Sequence, residues 1–122
     1  MTDPEDNPPV FSTTVRVVEG VPVVEVYGEI DLATTPQLIE EIGRAGSQLD
    51  GRALAVVDLR AAQFIDVIGI RNLLEQAQNM RGLGGELRLV VPREGPVTHV
   101  FELLGVEDAL NVHYDLDLSW KE

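Results

Sequence analysis

The run RALAVVDL, Arg52 to Leu59, constrains the fold more than any other stretch, because it stays almost continuously apolar until Asp58. A strand with one wet face alternates apolar and polar residues, whereas a strand covered on both faces does not need to. RALAVVDL therefore reads as a central parallel strand in a sheet flanked by helices. Parallel pairing needs crossovers, and the rest of the chain supplies them.

Before this strand, STTVRVVE (Ser12 to Glu19) alternates around Val15 and Val17, and VPVVEVYG follows a turn at Glu19 and Gly20, so the two form an antiparallel hairpin. DLATTPQLIEEIGRAGSQL sets Leu38, Ile42, Ala45 and Leu49 at helical spacing, with Thr35 as N-cap and Pro36 at the first helical position. IRNLLEQAQNMRG puts Ile70, Leu73, Leu74, Ala77 and Met80 on one stripe of a second helix that Gly82 ends. ELRLVVP (Glu86 to Pro92) is a further strand, and PVTHVFELLG (Pro96 to Gly105) is a short helix between proline and glycine. VEDALNVHYDLDLSW closes the chain as a last short strand and a helical turn. The expected class is α/β: one domain with a mixed, mostly parallel sheet begun by an antiparallel hairpin, and helices packed against it. Residues 1–9 lack periodicity and read as a disordered tail, leaving 10–122 as the domain.

With no cysteine among 122 residues, thiol chemistry and cysteine-ligated metals are excluded. Nine basic against 21 acidic residues give a net charge of -12, which repels phosphate backbones and anionic lipid. Direct nucleic-acid binding is not expected. No segment approaches a membrane span and the acidic start is not a signal peptide, so the expectation is a cytoplasmic protein without membrane insertion. GLGGE (Gly82 to Glu86) lacks the lysine and hydroxyl of a phosphate-binding loop. Asp31, Asp58 and Asp66 could meet at one end of the sheet and hold magnesium, but His99 and His113 lie in separate segments with no nucleophile–base pattern beside them. No enzyme, cofactor or metal site is expected, although a nucleotide near the loop before the second helix stays open.

FIDVIGI (Phe64 to Ile70) places Asp66 alone among apolar residues, at the entrance to the second helix. Its carboxylate can cap free N–H groups there, or the loop can be a partner-facing site. Gly69 serves either close backbone approach or packing. Asp31, in GEID, either holds its own loop or faces a partner. Asp58 reads as a structural carboxylate bonded to nearby backbone N–H groups. Arg71, Asn72 and Glu75 lie outside the apolar stripe, where Arg71 and Glu75 form an exposed pair or the three meet a partner.

Taken together, VYGEIDLATTPQL, AVVDLRAAQFIDVIG, GGELRLVVP and VFELLGVEDALNVHYDL resemble the STAS domain of bacterial anti-sigma-factor antagonists, over about Val15 to Asp117. The resemblance implies a non-catalytic binding module, a monomer or weak dimer, that sequesters an anti-sigma factor and frees a sigma factor. It also implies a partner that is commonly a serine kinase, acting on an Asp-Ser-Ser-Gly motif whose phosphorylation breaks the complex. The partner-facing residues it implies here are Asp31, Thr34, Asp66, Val67, Ile68, Gly69 and Asn72.

The motif reads Asp66, Val67, Ile68, Gly69 in this chain, so Ile68 occupies the phosphoacceptor position without a hydroxyl. Three consequences compete: a constitutively binding antagonist; a switch moved to Thr34, with Thr35 read as a cap and Ser47 and Thr98 remoter; or a STAS-type subunit of a transporter or signalling complex. Val67 and Ile68, if exposed, form an apolar contact patch suited to each.

Overall fold

β1 (Ser12–Val18) and β2 (Val21–Ile30) form the expected antiparallel hairpin, from Ser12 opposite Tyr27 to Val18 opposite Val21. The turn between them uses positive φ at Glu19 and Gly20, the twist that a tight hairpin needs. The computed structural model describes residues 10–46 and 54–116. The tail expected over 1–9, Ser47, Leu49, Arg52 and the chain after Leu116 lie outside them.

From β2 the chain runs through α1 (Thr35–Gly46) to β3 (Leu54–Asp58), β4 (Ala62–Ile65), α2 (Val67–Gly82), β5 (Glu86–Val90), α3 (Pro96–Leu104) and β6 (Val112–His113). The sheet order is β1-β2-β3-β5-β6, parallel apart from the hairpin. β3 is central and buried along its whole length, as its unbroken apolar run requires.

All three helices lie on one face. Leu38 and Ile42 of α1, Ile70 and Leu73 of α2, and Val97 and Phe101 of α3 share one core with Val24, Val26 and Val57 of the sheet. The expected burial of β3 on both faces is met by helices on this one. On the opposite face Val21, Val23, Val56 and Val90 form a second cluster, packed by Val18 and Leu116 among the described residues. A one-sided helical layer and a valine-covered reverse face both demand apolar strands, so the sequence pattern does not separate them.

The stretch between β3 and α2, expected to be a short loop, contains β4. β2 makes room for it by bending: at Gly28 its register shifts, and Glu29 and Ile30 pair with Phe64 and Ile65. Gly28 has φ 87°, and a Cβ there would lie 3.0 Å from backbone atoms of Phe11 and from the Val10 carbonyl. Only glycine fits both demands. This bend carries the end of β2 toward the start of α2, where the candidate site lies.

α3 ends as its sequence indicates, with Gly105 in the left-handed region and its N–H on Phe101 and Glu102 carbonyls. α2 extends to Gly82, and the left-handed residue that stops it is Gly84, whose N–H donates to the Arg81 carbonyl at 3.0 Å.

Candidate functional site

The site is built on two loops that meet beside the bend in β2. The Asp66 N–H donates to the Ile30 carbonyl at 3.0 Å, which ties the entrance of α2 to the residue before the Asp31 loop. Asp66 is the N-cap of α2, and its Oδ1 accepts the Gly69 N–H at 2.9 Å. This satisfies one of the free donors of the first turn. Gly69 is a packing glycine with ordinary helical φ: a Cβ would come within 2.9 Å of Ile30 Cγ2 and Ile65 Cγ1.

The other loop is fastened by Asp31 and Thr34. Asp31 Oδ1 accepts N–H groups from Ala33 at 2.9 Å and Thr34 at 3.1 Å, an Asx-type turn. The Thr34 hydroxyl accepts the Asp31 N–H at 2.9 Å and has Glu29 O at 2.9 Å and Asp31 Oδ1 at 3.2 Å as acceptors for its one proton. Thr35 does not act as the expected N-cap. α1 begins at Thr35, and its buried hydroxyl donates backward to the Asp31 carbonyl at 2.7 Å. The Leu38 N–H reaches the Thr34 carbonyl, so Thr34 occupies the cap position. Two adjacent threonines make the two placements equivalent in sequence.

Between these loops lies an open groove of about 440 Å³, with Leu32, Thr35, Pro36, Ile39 and Glu40 on the α1 side and Ile68 and Asn72 on α2. Leu32 is 68% exposed, Val67 51% and Ile68 36%, large apolar side chains that a solvated helix end does not need. Asn72 Nδ2 donates to the Ile68 carbonyl at 2.9 Å, which leaves the amide pinned along the groove wall.

Of the seven residues singled out in the sequence, Ile68 and Asn72 line the groove, Val67 is exposed next to it, and Asp31, Thr34, Asp66 and Gly69 shape its two loops. Leu32, Pro36, Ile39 and Glu40 were missed. A signal existed: Leu32 and Ile39 are apolar but fall off the buried stripe of Leu38, Ile42 and Ala45. Arg71 and Glu75 are exposed on α2, and no ion pair joins them among the described residues.

Asp58 sits apart at the end of β3. Its carboxylate takes the Arg60 guanidinium in a two-point contact, Nε at 3.0 Å and NH2 at 2.8 Å, besides the Arg60 backbone N–H at 3.0 Å. Burial pushes this carboxyl up, and the hydrogen bonds from Arg60 outweigh it, so the group ends below its ordinary value. The backbone N–H partner was expected and the guanidinium was not. Among the described residues no group of three His, Asp or Glu side chains is placed to hold a metal ion, so Asp31, Asp58 and Asp66 do not combine. No helix among them is long and apolar enough to cross a membrane. His99 and His113 are exposed, the latter with its Nε2 3.1 Å from Arg88.

The chain has relatives in sequence and in fold. The chain is 31% identical over 101 residues to the anti-sigma-F factor antagonist RsfB of Mycobacterium tuberculosis, covering 82% of this chain and 79% of RsfB. Among solved structures, an anti-sigma factor antagonist from Mycobacterium paratuberculosis superposes with a TM-score of 0.76 at 26% identity, over 96% of this chain and 93% of that one. The anti-sigma factor antagonist SpoIIAA in its unphosphorylated form shares the fold at a TM-score of 0.64 and 20% identity, over 85% and 88% of the two chains. A family model for the STAS domain matches residues 12–118. The chain belongs to the STAS domain family and is homologous to anti-sigma factor antagonists.

Proposed function

We propose that this protein is an anti-sigma-factor antagonist that binds an anti-sigma factor/serine kinase and so releases a sigma factor, through binding alone and with no catalytic step of its own. The observation that carries the constitutive form of this reading is Ile68. It stands in the first turn of α2, exposed on the groove wall, at the position where the family resemblance expects the phosphoacceptor serine. A branched hydrocarbon has no oxygen to receive phosphate, so the complex is controlled by abundance and not by charge at this position. The partner-facing set is Asp31, Thr34, Asp66, Val67, Ile68, Gly69 and Asn72, the first two and the Asp66–Gly69 pair acting by holding the loops.

A switch at Thr34 is the second reading. It has less support, because the Thr34 hydroxyl is the centre of three hydrogen-bond contacts within its loop and a kinase would have to open that loop first.

The test is calorimetric titration of the purified protein against each anti-sigma-type kinase of its source organism, with and without ATP, followed by intact mass. Tight binding that ATP leaves unchanged, with no gain of mass, is the expected result. Binding lost with a phosphate-sized gain moves the switch to another hydroxyl, Thr34 first. No binding to any of them overturns the antagonist reading in favour of a STAS-type subunit of another complex.

A further inference from the structure

We infer that the groove between α1 and α2 takes an apolar side chain from a basic amphipathic segment of the partner, with Ile68 and Leu32 as the walls that grip it. This deepens the antagonist reading and rests on it only for the identity of the partner.

Three observations carry the inference. The groove, at about 440 Å³, is in the size range of sites that hold a ligand or the anchor residues of a docked helix. Its walls are apolar and open: Leu32, Pro36, Ile39 and Ile68 face it, with Leu32 among the most exposed large apolar residues of the described chain and Ile68 exposed to a lesser degree. The charges on the two segments that form it are one-sided. Residues 29–40 and 66–72 carry Glu29, Asp31, Glu40 and Asp66 against Arg71, with Arg44 further along α1 reaching Glu40 at 2.9 Å.

Each observation narrows the occupant. The surrounding carboxylates repel a phosphate and the apolar walls do not solvate one, which disfavours a nucleotide. The same carboxylates attract lysine and arginine at long range while the walls desolvate one bulky side chain, the usual division between steering charge and buried anchor. The neutral amide of Asn72, held by the Ile68 carbonyl, adds no charge to the apolar wall. An acidic or polar partner segment fits neither feature.

The experiment is an NMR titration of the isotopically labelled full chain with a synthetic amphipathic helix of leucine and lysine. Two control peptides accompany it, one with the leucines changed to alanine and one with the lysines changed to glutamate; ATP is a third probe. Leu32→Asp and Ile68→Asp are titrated alongside. Both variants add negative charge, so weaker binding reports the lost apolar wall and not lost attraction. The expected result is shifts centred on Leu32, Ile39, Ile68 and Asn72 for the leucine–lysine peptide alone, with affinity about tenfold weaker in each variant. Shifts spread over the surface, equal binding of the alanine peptide, ATP shifts in the groove, or unchanged affinity in the variants would each overturn it. Leu32 is so exposed that Leu32→Asp decides the matter even where Ile68→Asp fails to fold, as a thermal melt of each variant shows.

The two readings fail separately. An anti-sigma factor that binds both variants at full affinity overturns the groove and leaves the antagonist standing. Peptide binding in the groove with no anti-sigma factor bound does the reverse.

Discussion

The Asp66 carboxylate and the Gly69 N–H, 2.9 Å apart, close the first turn of α2 and set the orientation of the two residues between them, Val67 and Ile68. Capping and presentation are therefore one interaction: the side chain that satisfies the helix end also fixes which apolar groups face the groove. Asp66→Ala should cost about 1 kcal/mol, the usual worth of an N-cap, while Asp66→Asn should cost less. Urea denaturation measures both, and equal stability of all three proteins would show that the cap is not a determinant of the helix entrance.

Gly69 tests the packing beneath that turn. A methyl group there would stand 2.9 Å from side-chain carbons of both Ile30 and Ile65, inside a core in which both residues are fully buried. Gly69→Ala gains helix propensity and should still lose stability, by about 1–3 kcal/mol, because overpacking outweighs the propensity gain. A variant more stable than the parent would mean that the two isoleucines move aside freely.

Thr34→Val isolates the loop fastening. The substitution keeps the shape of the side chain and removes the hydroxyl that serves the Asp31 N–H and the Glu29 carbonyl. The expected loss is about 1–2 kcal/mol, with Thr34→Ser close to the parent. Faster amide exchange at Asp31 and Thr34 in the valine variant would locate the effect in the loop; unchanged exchange would place it elsewhere.

Asp58 and Arg60 give the pH dependence. The carboxyl is held below its ordinary value of 3.8, so the stabilisation is complete above that value and is lost as pH falls through the lower folded value. Arg60 is partly open to solvent, which screens the pair and limits its worth. Asp58→Asn should be less stable than the parent by about 1–2 kcal/mol near neutral pH. That difference should shrink as both proteins are taken below the ordinary carboxylate range. A difference independent of pH would assign the effect to packing.

How much of this was legible in the sequence follows from which interactions are local. The hairpin, β3, β5 and the three helices announce themselves through spacing and punctuation, and Asp66 was readable as a cap because its partner is three residues away. β4 was not, since only Ala62 and Ile65 of its four residues face the core and its pairing depends on a bend at Gly28, thirty-odd residues earlier. The groove has the same character. Ile39 belongs to no periodic stripe, and its meeting with Ile68 is a product of how α1 and α2 pack, which no local window contains. The Arg60 guanidinium on Asp58 was within reach of a local reading, at i+2, but a residue following a strand can turn either way.

Ile68 is where the fold and the proposed function can be separated. Its side chain is exposed, so replacing it should leave the stability of the isolated domain within about 0.5 kcal/mol. Within a complex the same position is desolvated if the groove is the contact surface, and a carboxylate buried there without a partner is costly. Ile68→Glu should therefore weaken binding to the anti-sigma factor by about 2–5 kcal/mol, read by calorimetry, while its melting temperature stays near that of the parent. Ile68→Ser is the complementary change: it restores a hydroxyl to the first turn of α2 and should make binding sensitive to ATP when the partner is an active kinase, with a phosphate-sized gain in mass. The pair distinguishes two kinds of loss. Weak binding of the glutamate variant with no phosphate on the serine variant means that Ile68 is in the interface but the loop no longer fits a kinase active site. Unchanged affinity of the glutamate variant removes Ile68 from the interface and the groove with it.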